Sequence, residues 1–253
     1  MILNDEFIVF HFPIFQEPHQ HSRLEGFRSK IDKLPLLHFA VKKNQVEILK
    51  ELSAGGIINH ENVDAQGRNL VQLAADEKLY IDEHVFMILF KNNVMDKSDF
   101  LTIACELGSF GITESLSEWN KLHNITDLNI NTYGKDTHVH PIASACRGGQ
   151  EKVVGTLLSE NVDILVKTKH NETPLWISCC FGFETIAKLL LDRLNKIDIS
   201  MTAKMDYVNC PDCNGTTPVA LCAKYSHNGI LSLLLKYNAD INVQDVTEST
   251  PLH

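Results

Sequence analysis

The sequence predicts an all-α solenoid of helix-turn-helix units, because one such unit is clear and it recurs along the chain. The clearest copy spans residues 171–192, where Thr173 can cap a helix and Pro174 can occupy the first helical position. Gly182 then allows a turn, and a second segment follows with apolar residues at helical spacing. Two short helices cannot bury their apolar faces alone, so the unit requires neighbouring copies.

The copies recur at a period of about 33 residues. The opening pattern of the clearest copy returns elsewhere, at residues 140–142, 217–219 and 250–252. Gly149 stands where the clearest copy has Gly182. Counted in this way, the chain holds about six repeats, and a seventh is truncated at His253.

These units resemble the ankyrin repeat, whose pattern reads TPLHxAAxxG, then a VVxLL helix and then a GADxN-type turn. Residues 250–253 read TPLH, residues 153–158 read VVGTLL, and residues 238–242 read NADIN. The resemblance covers residues 34–253, strongly in 136–253. It implies short β-hairpin fingers between the units and a concave groove formed by the fingers and the first helices.

The non-repeat residues 1–33 are expected to form an N-terminal capping segment over the open end of the array. Their apolar cluster, residues 7–15, supports a cap, since an end repeat exposes apolar surface that must be covered. A segment that binds a partner or touches a membrane is the alternative. The array then spans residues 34–253, and its stop without a polar capping repeat predicts a fragment of a longer protein.

Two stretches depart from the repeat period. The third repeat, within residues 91–135, is degenerate, and its hairpin is expected to be absent. Residues 119–135 are expected to form an irregular loop with a turn at Tyr133 and Gly134. An insertion of about eleven residues, around residues 193–207, separates the fifth repeat from the sixth.

The composition narrows the classes of function. The chain of 253 residues is 44% hydrophobic and carries a formal net charge of −9. That charge argues against general nucleic-acid binding, which requires Lys and Arg to neutralise phosphates. The longest apolar run is too short to span a bilayer, and no secretory signal is recognisable. We therefore expect a cytoplasmic protein, or one in the host cytosol if it is a secreted bacterial effector.

Most of the seven cysteines are interpreted as packing residues. Four occupy the small positions of the first helices, where ankyrin repeats usually have alanine: Cys105, Cys146, Cys179 and Cys222. Cys210 and Cys213 form a CxxC motif, which can bind zinc or cycle as a redox pair. No second CxxC supplies further ligands, so this pair is expected to lie in a hairpin, with a zinc or redox module as the alternative. We expect no metal and no cofactor.

The resemblance also predicts a binding surface, because it places the two residues after the small pair in the groove, beside the finger tips. The predicted partner-binding residues combine cations with aromatic rings: Arg68, Arg147, Lys169, His170, Cys180, Phe181, Lys224 and Tyr225. Such a composition is typical of interface hot spots. Charge complementarity then favours an acidic or apolar segment as the partner. The alternative for Phe181 is that it folds onto its own helix pair as extra core.

By resemblance, the chain is a protein–protein interaction module and not an enzyme. The sequence contains no P-loop, GxGxxG, GxSxG or HExxH motif. The alternative is the targeting arm of a bacterial effector or enzyme whose catalytic domain lies beyond residue 253. Two further residues, His140 and Asn242, have an expected role of their own. His140 replaces the usual capping Thr and is expected to be structural, and Asn242 resembles a site of asparagine hydroxylation, or else is a turn residue that satisfies local backbone groups.

Overall fold

The computed structural model describes residues 36–58, 63–70, 73, 83–92, 96–108, 129–135 and 137–251. The predicted cap at residues 1–33 lies outside the described residues. The chain divides into two compact units, Met1–Val94 and Met95–His253.

The first unit contains helices α1 (Leu36–Lys42), α2 (Val46–Ala54) and α3 (Glu83–Lys91). Asn44 turns the chain between α1 and α2 with a φ of 52°. Helices α2 and α3 pack against each other, and the amide of Asn92 donates to the Ser53 hydroxyl at 2.8 Å. This unit therefore holds the first repeat and the second helix of the second repeat.

The second unit contains two layers of helices. Its first helices pack side by side in chain order: α4 (Lys97–Leu107), α5 (Pro141–Arg147), α7 (Pro174–Phe181) and α10 (Pro218–Lys224). Its second helices form the other layer: α6 (Glu151–Ser159), α8 (Glu184–Lys196) and α11 (Asn228–Lys236). The expected stack of helix pairs is confirmed.

The predicted helix starts are confirmed in detail. The Thr173 hydroxyl accepts a hydrogen bond from the Trp176 N–H at 3.1 Å, and proline follows the cap at the first helical position. His140 replaces threonine in this role, because its Nδ1 accepts from the Ile142 N–H at 3.4 Å. His140 is therefore a structural cap, as the sequence indicated.

The turns between first and second helices also join neighbouring repeats. Gly149 and Gly182 have φ angles of 67° and 76°, which glycine adopts without strain. The next repeat lays a ring over each of them: Phe183 covers Gly149, and His227 covers Gly182. The register of the stack is thus fixed at the turns as well as in the core.

The four cysteines of the first helices, Cys105, Cys146, Cys179 and Cys222, are fully buried. Burial raises the pKa of the Cys146 thiol to about 12, although a hydrogen bond with Ser178 acts in the opposite direction. The four side chains therefore serve as small apolar packing residues, which confirms the sequence interpretation.

The fingers are tight turns, at residues 64–68, 168–172, 212–216 and 245–249, and we call these the finger turns. Among the described residues, β pairing is limited to one isolated bridge between Val63 and Asn69. Hydrogen bonds run sideways to the next finger turn instead: the Cys213 N–H donates to the His170 carbonyl at 2.9 Å. The predicted hairpins are therefore too short to form strands, and their backbone groups are satisfied between repeats.

The two irregular stretches differ in how well the sequence anticipates them. Gly134 closes the expected turn, since its N–H donates to the Val139 carbonyl at 2.9 Å. The insertion, by contrast, contains a helix that the sequence reasoning missed, α9 (Met201–Val208). The Ser200 hydroxyl caps it, and Tyr207 and Val208 anchor it in the core.

Candidate partner-binding groove

Three stacked first helices bring equivalent residues together at their C-terminal ends. Helices α5, α7 and α10 supply Arg147, Cys180 and Lys224, and we call these three residues the charged row. The next position on α7 and immediately after α10 is aromatic, Phe181 and Tyr225. The register arises because α7 packs directly against both α5 and α10.

A carboxylate of a finger turn, Glu172, lies next to the charged row. Glu172 lies 3.8 Å from the Arg147 guanidinium, and it also accepts a hydrogen bond from the Thr168 hydroxyl at 2.8 Å. Burial raises the pKa of the Cys180 thiol, the negative charge of Glu172 raises it further, and the positive charge of Lys224 opposes this effect. Cys180 is therefore a neutral, half-buried thiol between the two cations and not an activated nucleophile.

The two aromatic side chains are exposed but held in place. Phe181 is 52% exposed and stacks on Phe183, with ring centroids 5.8 Å apart. Tyr225 is 48% exposed, lies 5.9 Å from the His227 ring, and has the Lys224 ammonium 5.5 Å from its centroid. The alternative of a core role for Phe181 does not fit this exposure. Each of the two residues therefore keeps about half of its surface accessible to a partner.

The remaining predicted residues are distributed less evenly. Lys169 and His170 are exposed in the finger turn 168–172, next to Glu172. Arg68 belongs to the other unit, where its Nε lies 2.8 Å from Asp64 in its own finger turn. The second unit therefore collects seven of the eight predicted partner-binding residues.

The sequence reasoning missed the acidic side chains of this surface. Glu172 and Asp212 both act on the Cys180 thiol, and Lys224 acts on the carboxylate of Asp245. This candidate surface is therefore not simply basic, because carboxylates lie near its cations. Asp212 and Asp245 each begin a finger turn, and this repeated Asp was the signal that could have indicated these two carboxylates.

The CxxC pair is split by burial, since Cys210 is buried and Cys213 is exposed in the finger turn 212–216. Across the described residues, no group of three or more His, Cys, Asp and Glu side chains could hold a metal ion.

Asn242 is exposed, and its N–H donates to the Asp240 carboxylate at 2.8 Å. Hydroxylation of Asn242 stays a prediction, to be checked by mass spectrometry after incubation with the hydroxylase.

Within the described part of the chain, no helix is both long and apolar enough to cross a membrane.

Stacked helix pairs, capped by Thr-Pro and joined by finger turns, define a helical repeat scaffold. A family model described as ankyrin repeats (3 copies) matches residues 101–203 and, in a second register, 142–245. The chain belongs to the ankyrin repeat family. Ankyrin repeats are generally protein–protein interaction modules rather than enzymes.

Similar proteins carry this segment as a minor part of their length. Transient receptor potential cation channel subfamily A member 1 of Homo sapiens is 29% identical over 207 residues, which are 80% of this chain and 17% of that protein. Neurogenic locus notch homolog protein 1 of Xenopus tropicalis is 26% identical over 143 residues, 56% of this chain and 5% of that protein. Putative ankyrin repeat protein FPV230 of Fowlpox virus is 29% identical over 96 residues, 38% of this chain and 45% of that protein.

Proposed function

We propose that this chain recognises a protein partner through the groove formed by the ends of α5, α7 and α10 and by the adjacent finger turns. The observation that carries the proposal is the pair Phe181 and Tyr225, two exposed rings at equivalent positions of neighbouring repeats. Exposed apolar groups that lie next to one another on a monomer often mark a site of protein–protein interaction.

The stacking contacts favour binding energetically. Phe183 stacks on Phe181, and His227 lies beside Tyr225, so both rings are held by a neighbour before a partner arrives. Little side-chain entropy is then lost on association. Truncating a central aromatic residue of an interface costs about 2 kcal/mol or more, which is roughly a 30-fold loss of affinity.

The charges of the groove favour an acidic or apolar partner segment. Arg147, Lys224, Lys169 and His170 attract carboxylates, whereas Glu172 and Asp212 repel them at intermediate positions. The groove therefore selects for the positions of acidic groups as well as for their number. We propose that this recognition takes place in the cytoplasm, as the recognition arm of a longer protein.

The test compares captured proteins between two double variants. Phe181→Ala with Tyr225→Ala removes both rings, and the matched control, Met201→Ala with Met205→Ala, removes two exposed apolar side chains of α9. Quantitative mass spectrometry of pull-downs should show proteins that the wild type and the control retain and the groove variant loses. Equal capture by all three chains, with unchanged helicity, would exclude the groove as the binding surface.

A further inference from the structure

We infer that the partner segment binds in an extended conformation and carries two carboxylates about six residues apart, with apolar side chains between them. This inference rests on the proposed function and adds the chemistry of the partner. The inference is argued from the charged row, in which Arg147 and Lys224 flank the uncharged Cys180.

The spacing follows from helix packing. Arg147 and Lys224 occupy equivalent positions on α5 and α10, which are separated by α7. Packed helices lie about 8–10 Å apart, so the two cations are roughly 16–20 Å apart. An extended chain advances about 3.3 Å per residue and therefore covers this distance in five to six residues. Alternate side chains of a strand share one face, so an even separation of six directs both carboxylates toward the row.

The surroundings of the row favour an extended chain over a helix. Glu172 of the finger turn lies beside both Arg147 and Cys180. Phe181 and Tyr225 follow the row residues directly in sequence, and their rings stand exposed. An α-helix with side chains is about 10–12 Å wide, whereas a single extended chain needs about half that width.

The centre of the row selects for apolar groups. Cys180 is a neutral thiol, and the carboxylates of Glu172 and Asp212 act on it from two finger turns. An acidic side chain placed there would meet like charges. An apolar side chain would instead contact the thiol and the exposed face of Phe181.

Fluorescence anisotropy with labelled synthetic peptides and the full 253-residue chain tests the inference. The probe peptide carries two glutamates six residues apart, with leucine at the second and fourth positions after the first glutamate. Its controls have the glutamates three or twelve residues apart, aspartate in place of the leucines, or lysine in place of the glutamates. We expect the probe to bind at least tenfold more tightly than each control.

Variants of the chain locate the binding. Arg147→Ala and Lys224→Ala should each weaken binding of the probe at least fivefold. Lys188→Ala removes an exposed charge of α8 instead and should leave binding unchanged. Binding that ignores the spacing, or that Lys188→Ala weakens equally, is non-specific attraction and overturns the inference. If the peptide with glutamates twelve residues apart binds most tightly, the partner segment matches an α-helix rather than an extended chain. That result also overturns the inference.

The failure of this inference is distinguishable from failure of the proposed function. If the peptides show no spacing preference but the variant Phe181→Ala with Tyr225→Ala still loses captured proteins, the groove binds a partner of different chemistry. If both experiments fail, the proposed function falls with the inference.

Discussion

Phe183 of one repeat packs directly against Gly149 of the preceding repeat. Its ring carbon Cζ lies 2.7 Å from the point that a Cβ atom on Gly149 would occupy. His227 stands in the same relation to Gly182, with its Cε1 2.6 Å from the corresponding point. Each turn glycine thus serves two purposes, since it adopts a positive φ and leaves space for the next repeat's ring.

The first prediction is that Gly149→Ala is destabilising. The new methyl group would be strained at a φ of 67° and would displace the Phe183 ring. We expect a loss of roughly 2–3 kcal/mol, from about 1 kcal/mol of backbone strain plus the overpacking. Urea unfolding followed by circular dichroism measures it.

Gly155→Ala is the matched control for that variant. Gly155 lies inside α6, and a Cβ there would meet nothing within 4 Å. Helix propensity then predicts a gain of about 0.5–1 kcal/mol. If both substitutions shift the midpoint in the same direction, the contact between Gly149 and Phe183 does not stabilise the stack.

The second prediction concerns the cysteine core. Cys179 is fully buried beside Cys222, so Cys179→Ala removes little volume and should cost within about 1 kcal/mol. Cys179→Leu overpacks the contact between α7 and α10 and should cost roughly 1–3 kcal/mol. Equal urea midpoints for the two variants would show that this position is not closely packed.

The repeat frame explains which of these features the sequence predicts. The caps at Thr173 and His140 and the turn at Gly149 form within their own segments, so local chemistry was enough to assign them. The contact of Gly149 with Phe183 of the next repeat was not assigned in this way. Helix α9 was missed because it lies in an insertion that breaks the period and is too short for a clear apolar pattern. The carboxylate of Glu172 and the stacking of Phe181 on Phe183 depend on how the chain folds back between elements, which spacing alone does not define.

The third prediction is a pH dependence that arises at His140. Burial lowers the pKa of this histidine to about 4, although the charge of Asp163 and a hydrogen bond of Asn131 act in the opposite direction. The folded chain therefore keeps His140 neutral, which leaves Nδ1 able to accept the capping hydrogen bond. The unfolded chain takes up a proton near pH 6.5.

The direction of the stability change follows from the pKa values of His140 in the folded and the unfolded chain. Above about pH 6.5 the residue is neutral in both states, and its contribution to stability is fully present. As the pH falls from there toward the pKa of His140 in the folded chain, the unfolded state binds the proton first. The free energy of unfolding then declines by up to about 1.4 kcal/mol per pH unit. His140→Thr keeps a capping oxygen that does not titrate in this range. The wild type should therefore lose more stability than this variant between pH 7.5 and pH 5, and parallel losses would contradict the assignment.

The last prediction compares two leucines at equivalent positions of α8 and α11. Leu191 is fully buried, and α8 is covered by the packing of α11 against it. Leu235, one repeat later, is 48% exposed. In the 253-residue chain, Leu191→Ala should cost roughly 2–5 kcal/mol, because it opens a cavity between repeats. Leu235→Ala should cost less than about 1 kcal/mol, because its side chain already contacts water and alanine is the better helix former.

Urea midpoints of the two variants, measured in the same buffer, give the comparison. A similar loss at both positions would mean that Leu235 is covered in solution, for instance by association with a second chain, and sedimentation of the wild type would then show a species larger than the monomer.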